Sequence, residues 1–216
     1  MRGQPPLLRI FSRAVIGSCA AALVTGCVTS GPIATVTTAS GQAYIKRSGG
    51  GEILAKGGES LNSGDGFRTD AGTMKIATSS GGQIDVFENT DPIIQQSICF
   101  GISFFHKGKL HIIGSGMCVD GVYQASDVGY EFISPEVMRV WVFEGEVRLL
   151  TSPLNVIRTG QRGDIENGQL ANLTTFTPAE FARRFPPIPG SRVPPQRFPP
   201  IQRPVPPPPQ PGPVVG

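Results

Sequence analysis

The sequence has few of the residues that usually carry enzyme chemistry. It contains only two histidines, His106 and His111, and its four cysteines form no C-x-x-C pair. No nucleophile-elbow, zinc-protease, phosphate-loop or dinucleotide-binding motif occurs. Charged residues make up 16% of the chain and aromatic residues 7%, which excludes a coiled coil and a highly charged disordered chain. We therefore expect a protein that is not an enzyme and that uses no metal or cofactor.

Long apolar runs are also missing. The longest, residues 14–24, has eleven residues, whereas a membrane-spanning helix needs about 20. Three arginines and no acid precede it, as in a secretory signal peptide. It ends in Val24-Thr25-Gly26-Cys27, which resembles the lipobox of bacterial lipoproteins. The resemblance implies that residues 1–26 are removed and that Cys27 is acylated.

The acyl chains on Cys27 would anchor the protein in the membrane, and residues 27–33 would form a short linker. The residue after Cys27 is Val28 rather than Asp, which favours the outer membrane, facing the periplasm, over the inner membrane. The alternative is an ordinary signal peptide cut near a cysteine of no special role.

Charge is distributed unevenly behind the net value of +3. Residues 27–180 hold 11 basic and 16 acidic residues, whereas residues 181–216 hold five arginines and no acid. An acidic body has no electrostatic footprint for nucleic acid, so we expect no nucleic-acid partner.

Two cysteines, Cys99 and Cys118, lie beyond the lipobox. In an oxidising compartment they are candidates for a disulfide. Its loop of about 20 residues would contribute roughly 3 kcal/mol in the chain-entropy model. Two free buried thiols are the alternative.

The body, residues 34–176, consists of short alternating segments separated by glycines, which predicts an all-β sandwich, barrel or short solenoid. Asp120-Gly121 and Asn167-Gly168 predict tight turns. Lys107-Gly108-Lys109 and Glu144-Gly145 also predict hairpins, with His106 and His111 as solvated residues at the strand ends. The acidic residues Asp85, Glu88 and Asp91 predict an acidic loop rather than a Ca²⁺ site.

A family resemblance covers residues 34–170. The segment from Gly57 through Leu61, Gly64-Asp65-Gly66 and Thr69 resembles the core motif of FecR-type periplasmic domains. The later segments Phe143-Glu144-Gly145-Glu146-Val147 and Thr159-Gly160-Gln161 are similar to the second half of that family. We interpret Gly64, Asp65, Gly66, Thr69 and Gly145 as turn-forming residues of the motif, with Asp65 bonding local backbone amides.

The FecR resemblance implies a secreted β domain used for protein contact or ligand sensing. FecR-type regulators also control a sigma factor through a cytoplasmic segment. Because the N-terminal stretch here is predicted to be a signal peptide, we expect no cytoplasmic segment and no second membrane span, and we do not transfer the sigma-regulator role.

One short helix is predicted over residues 177–185. Thr177 is a capping residue, Pro178 suits the first helical position, and Glu180 completes a capping box. Phe181 and Phe185 fall one turn apart and are expected to dock on the body.

Residues 186–216 form a proline-rich tail, predicted to be disordered, that favours polyproline II. The segment Arg184-Phe185-Pro-Pro-Ile recurs as Arg197-Phe198-Pro-Pro-Ile. These Arg and Phe residues are candidate partner contacts, because Pro and Phe suit aromatic-lined grooves.

The sequence therefore predicts an envelope lipoprotein whose FecR-like domain binds an envelope protein or ligand, as an accessory to assembly or signalling. The alternative is a structural tether whose basic tail contacts peptidoglycan.

Overall fold

The computed structural model describes residues 31–96, 100–103, 107–124, 126–134 and 136–189. These residues form an all-β domain with one short helix, which confirms the predicted fold class. The strands are β1 (Ala34–Lys46), β2 (Glu52–Leu54), β3 (Ser60–Leu61), β4 (Gly66–Thr78), β5 (Gln83–Val86), β6 (Ile93–Gln96), β7 (Phe100–Ser103), β8 (Lys109–Ile113), β9 (Met117–Val119), β10 (Val122–Gln124), β11 (Asp127–Ser134), β12 (Val137–Glu144), β13 (Glu146–Leu149), β14 (Ser152–Arg158), β15 (Gln161–Glu166) and β16 (Gln169–Thr175). The helix is α1 (Pro178–Arg184).

One hydrogen-bonded sheet connects the strands in the order β14-β13-β10-β9-β7-β6-β4-β5-β8-β11-β12-β15-β16, with β1, β2 and β3 attached through β1 and β4. The described ladders are antiparallel except the pair β7–β9. This open antiparallel arrangement is consistent with a sandwich rather than a parallel solenoid.

The main core lies between strands from distant parts of this order. Val119, Val147 and Ile157, from one end of the order, share a single buried cluster with Ile84 and Val140 from the other half. The sheet therefore folds over itself. Polar groups in this interior are paired: the Tyr130 hydroxyl donates a hydrogen bond of 2.8 Å to Gln124, and burial raises the pKa of Tyr130.

Two predicted turns join paired strands. Asp120 and Gly121 have φ values of 41° and 81° between β9 and β10, and Asn167 and Gly168 have values of 50° and 75° between β15 and β16. A two-residue turn with positive φ at both residues has a backbone twist that matches the twist of the two strands that it joins.

Two other predicted hairpins are wrong. Strand β8 follows Lys107-Gly108 but pairs with β5 and β11, while β7 pairs with β6 and β9. Likewise, Glu144-Gly145 separates β12, which pairs with β11 and β15, from β13, which pairs with β10 and β14. At both places the strand before the turn and the strand after it pair with different neighbours, so the turn connects two separate parts of the sheet.

The helix has the capping box expected from the sequence. The Thr177 side chain accepts a hydrogen bond from the Glu180 amide, and the Glu180 carboxylate accepts one of 2.6 Å from the Thr177 amide. Phe185 is the C-cap residue, and its amide bonds the Phe181 carbonyl at 2.8 Å.

Candidate functional site: the helix-covered face of the sheet

The outer face of strands β5, β8, β11, β12 and β15 carries a second buried surface. Asp85, His111, Gly129, Trp141 and Arg162 are successive cross-strand neighbours in this row. Their flanking residues on the strands point to the main core, because side chains alternate between faces along a strand. Helix α1 covers the row.

Aromatic side chains attach α1 to this face. Phe181 and Phe185 are fully buried, and their ring centroids lie 4.9 Å apart. Phe181 lies 5.0 Å from the Phe143 ring, and Phe185 makes edge contacts with Phe87 at 5.9 Å and Trp141 at 6.3 Å. Such a cluster, separate from the main core, fixes the position of the helix.

Gly129 provides the slot that receives Phe185. A Cβ at this position would lie 2.4 Å from Cε2 and 2.5 Å from Cζ of the Phe185 ring. Only glycine therefore lets the ring approach β11 this closely.

A buried polar group lies beneath the two phenylalanines. His111 Nε2 is 2.6 Å from Asp127 Oδ1, and His111 Nδ1 is 4.0 Å from Asp85 Oδ2. The Phe181 ring covers the imidazole with an edge contact of 5.2 Å. The expectation of a solvated strand-end histidine is thus wrong for His111, because β8 is a central strand whose outer face α1 buries. His106 lies outside the described residues.

An open cleft, which we call the arginine cleft, lies between α1 and the sheet. Its volume is about 400 Å³. Its lining consists of four arginines, two glutamates and the indole of the chain's single tryptophan: Glu131, Arg139, Trp141, Arg162, Glu180, Arg183 and Arg184.

Two of these arginines are held by carboxylates. Arg184 donates to both oxygens of the buried Glu131, one of them at 2.8 Å. Arg139 makes a bidentate pair with Asp164 at 2.6 and 3.0 Å. Their side-chain hydrogen bond raises the pKa of Arg139 and lowers that of Asp164. These arginines shape the wall of the cleft.

The other two arginines have no carboxylate within ion-pair distance in the described structure. The Arg162 guanidinium lies over the Trp141 ring, 4.9 Å from its centroid, and its Nε donates a hydrogen bond of 2.9 Å to the Thr174 hydroxyl. Arg183 is exposed on α1. The buried Nε1 of Trp141 has no hydrogen-bond acceptor among the described residues.

A second cavity, also of about 400 Å³, lies beside the residues that follow α1. Pro186–Pro189 form one wall, and Phe87 and Lys109 lie opposite. Ile188 is buried in the aromatic cluster. Burial and the nearby Arg184 lower the pKa of Lys109. Ile188 therefore packs on the body, two residues beyond the point at which the sequence predicted the tail to begin.

The partner-contact prediction is wrong for Phe185, whose ring is fully buried in the slot above Gly129. Arg184 pairs with Glu131, but its side chain is 48% exposed and lines the arginine cleft, so its partner contact stays a prediction. Arg197 and Phe198, the second copy, lie outside the described residues.

The FecR-motif residues lie elsewhere, at a turn before β4. Asp65 is buried and accepts hydrogen bonds from the Asn62 and Ser48 amides, each at 3.0 Å, and from Arg47 at 2.8 Å. Burial alone would raise the pKa of Asp65, but these three donors outweigh it and lower the pKa. Asp65 thus holds the turn together.

Of the remaining motif residues, Gly64 and Gly145 lie in turns, Gly66 is the first residue of β4, and Thr69 lies inside β4, so the predicted turn role is wrong for Thr69. Gly64 has a φ of 90° in the turn before β4, and an added Cβ on Gly66 would lie 3.1 Å from the Pro92 carbonyl. The buried Thr69 hydroxyl donates to the Phe87 carbonyl at 2.5 Å. Gly145 has a φ of 85° between β12 and β13.

The remaining predicted sites are only partly described. Cys118, on β9, is disulfide-bonded. Its predicted partner Cys99 and the lipidation site Cys27 lie outside the described residues.

The predicted acidic loop holds only two of the three residues, because Glu88 and Asp91 lie between β5 and β6 whereas Asp85 lies on β5. Asp85 is buried on β5, Asp91 pairs with Lys46 at 2.7 Å, and Glu88 borders the second cavity. Over the described ranges, no group of three or more His, Cys, Asp or Glu side chains could hold a metal ion.

The sequence predicts that Phe181 and Phe185 dock on the body, but not which face of the sheet receives them. The signal for this face was the run Val140-Trp141-Val142-Phe143, apolar on both faces of one strand, which is typical of a strand buried on both sides. The arginines of the cleft carried no recognisable spacing, since β11, β12, β15 and α1 each contribute to the lining.

No protein-family model matches the chain, and no curated protein matches it. In the part of the chain that the structure describes, no helix is long and apolar enough to span a membrane. The functional proposal therefore rests on the sequence signals and on the geometry of the arginine cleft.

Proposed function

We propose that this protein is a non-enzymatic, lipid-anchored envelope protein whose β domain binds a protein or ligand as an accessory to envelope assembly or signalling. The observation that carries the proposal is the arginine cleft, an open cavity in which Arg162 and Arg183 form no direct ion pair among the described residues, although both act electrostatically on Glu180, and lie beside a buried tryptophan. Arginine and tryptophan are enriched at energetically important contacts between proteins.

The sequence supports the proposed location at the membrane. The basic flank, short apolar segment and Val24-Thr25-Gly26-Cys27 support acylation of Cys27, with Val28 favouring the outer membrane. The motif around Asp65 supports a FecR-type domain, a family used in contact and sensing.

The chemistry of the cleft favours binding over catalysis. Its two carboxylates already have partners, since Glu131 holds Arg184 and Glu180 caps α1. A general base must reach the proton that it abstracts, whereas His111 lies beneath Phe181. Guanidinium groups suit recognition of anions.

Site-specific photo-crosslinking in the intact envelope tests the binding role. A crosslinking residue at position 182, which is exposed on α1 beside Arg183, leaves the cleft arginines in place and should capture a defined partner. The matched control is position 53, which is 43% exposed on β2 and does not line the cleft. The same captured species at both positions, or none at position 182, would contradict the proposal.

Membrane attachment is tested separately. Cys27→Ser should move the protein from the membrane fraction to the soluble fraction, and retention of the variant in the membrane would refute acylation at this residue.

The tether function remains the second candidate, favoured by the way the tail begins. Arg184, Phe185 and Ile188 fix the start of the tail to the body, so that the tail leaves from a rigid point. A peptidoglycan pulldown with the full chain and with a chain ending at Pro189 tests it. Loss of wall binding on truncation supports the tether, and equal binding refutes it.

A further inference from the structure

We propose that the arginine cleft binds a carboxylate monoanion, presented as the C-terminal carboxylate of a peptide. This inference rests on the proposed binding function and specifies the chemistry of its ligand.

The charges of the cleft favour an anion with a single charge. Four arginines face two glutamates in the lining, and Asp164 pairs with Arg139 at its edge. The local sum is therefore one positive charge. A carboxylate neutralises it, whereas a phosphate dianion would leave an excess negative charge beside Glu131 and Glu180.

The available donors match a carboxylate. Guanidinium groups bind carboxylates through paired, charge-assisted hydrogen bonds. Arg184 and Arg139 already make such bonds within the chain, so Arg162 and Arg183 are the donors left for a ligand. They lie on opposite walls, Arg162 on β15 and Arg183 on α1.

Trp141 supplies the second observation. Buried indole N–H groups usually have an acceptor, yet Nε1 of Trp141 has none among the described residues, although Trp141 lines the cleft. A carboxylate has about four acceptor sites. Arg162 Nε already donates to Thr174, so a single hydrogen bond from Arg162 and a pair from Arg183 leave one site for the indole. We infer that the bound carboxylate provides the acceptor that the indole lacks.

The size of the cleft sets the length of the ligand. A volume of about 400 Å³ lies at the small end of the range for ligand sites, roughly 300–1,000 Å³. It fits one or two terminal residues of a peptide, and its open side lets the rest of the partner remain outside.

The test uses the full lipidated chain in detergent and follows Trp141, the only tryptophan, by fluorescence and by its indole N–H resonance. The probes are N-acetyl-Ala-Ala as the free acid, the same dipeptide as its C-terminal amide, sodium acetate and inorganic phosphate. We expect a saturable response to the free acid and none to the amide.

Acetate separates the two sources of a carboxylate. Binding of acetate as tight as that of the dipeptide acid would keep the carboxylate site and assign it to a free organic acid. Equal responses to acid and amide, tighter binding of phosphate, or no response to the free acid would overturn the proposal. Crosslinking at position 182 together with a failed titration would reject the ligand class while retaining the binding function.

Two variants locate the site. Arg183→Gln, on the exposed face of α1, should weaken binding of the dipeptide acid about tenfold or more. Arg162→Gln should do the same. The matched control is Arg148→Gln, because Arg148 is exposed on β13, pairs with Glu146 and does not line the cleft. Unchanged affinity in Arg183→Gln, or an equal loss in the control, would refute the assignment.

Discussion

Gly129 gives the most direct test of how α1 is attached. Replacing a strand glycine by alanine normally stabilises a protein by about 0.5–1 kcal/mol, because the unfolded chain loses freedom. Here the added Cβ would lie 2.4 Å from the Phe185 ring, against a usual carbon–carbon contact of about 3.5–4.0 Å. Gly129→Ala should therefore destabilise the protein instead of stabilising it.

The size of the effect follows from the surroundings of Phe185. The ring must retreat by more than about 1 Å to restore normal contacts. It cannot do so freely, because Phe87, Trp141 and Phe181 pack around it. Overpacking costs about 1–3 kcal/mol and full loss of a buried Phe about 3–5 kcal/mol. We expect Gly129→Ala to lower the free energy of unfolding by about 2–4 kcal/mol, an estimate between these limits.

Denaturant unfolding followed by Trp141 fluorescence measures this change, since Trp141 contacts the Phe185 ring. Gly49→Ala is the matched control, because a Cβ there meets nothing within 4 Å and its φ is not positive. It should change the stability by less than about 0.5 kcal/mol, as surface substitutions usually do.

A double-mutant cycle makes the reasoning refutable. In the Phe185→Ala background the space above β11 is empty, so Gly129→Ala should cost almost nothing or stabilise slightly. Additive effects of the two substitutions, or a Gly129→Ala chain as stable as the wild type, would show that the ring does not occupy the slot.

Three further predictions concern buried groups. Asp65→Asn should lower the free energy of unfolding by about 1–3 kcal/mol at neutral pH. Because the pKa of Asp65 is lower in the folded state, the stabilisation by its carboxylate is present above the unfolded pKa of about 3.9 and is lost as the pH falls through the folded-state pKa. The urea midpoints of wild type and variant should therefore converge below about pH 4. His111→Leu should cost about 1–3 kcal/mol, since it leaves the buried Asp127 side chain without its hydrogen-bond partner; a urea midpoint equal to that of the wild type would contradict this. Peptide mapping without reductant should show Cys118 linked to Cys99, and alkylation of both thiols before reduction would rule out the pairing.

The sequence indicates the fold class because most of its signals are local. Asp120-Gly121 and Asn167-Gly168 adopt the positive φ values that a tight hairpin requires, and such residues tolerate them at low cost. Lys107-Gly108-Lys109 contains one positive-φ glycine, which serves equally in a hairpin and in a crossover. The pairing of β8 with β5 and β11 depends on burial across the whole sheet, and no local pattern encodes it.

The candidate site was harder to predict for the same reason. Trp141 and Phe143 alternate with apolar neighbours, which indicates a second buried face, but its cover, α1, begins 35 residues after Phe143. Gly129 is one of 28 glycines, and nothing in its local sequence marks it as a slot for Phe185. Arg162 and Arg183 belong to different elements and meet only after α1 docks.

The helix, the cleft and the start of the tail share residues, so folding and binding at this face are linked. Arg184 forms part of the cleft wall, pairs with Glu131 and begins the first motif copy. Phe185, one residue later, occupies the Gly129 slot that fixes the angle of α1 and hence the distance between Arg183 and Arg162. A substitution that undocks the helix would therefore also separate the two guanidiniums. Conversely, a carboxylate that bridges them adds a contact present only when α1 is docked, so it should raise the stability of the domain as its concentration exceeds the dissociation constant.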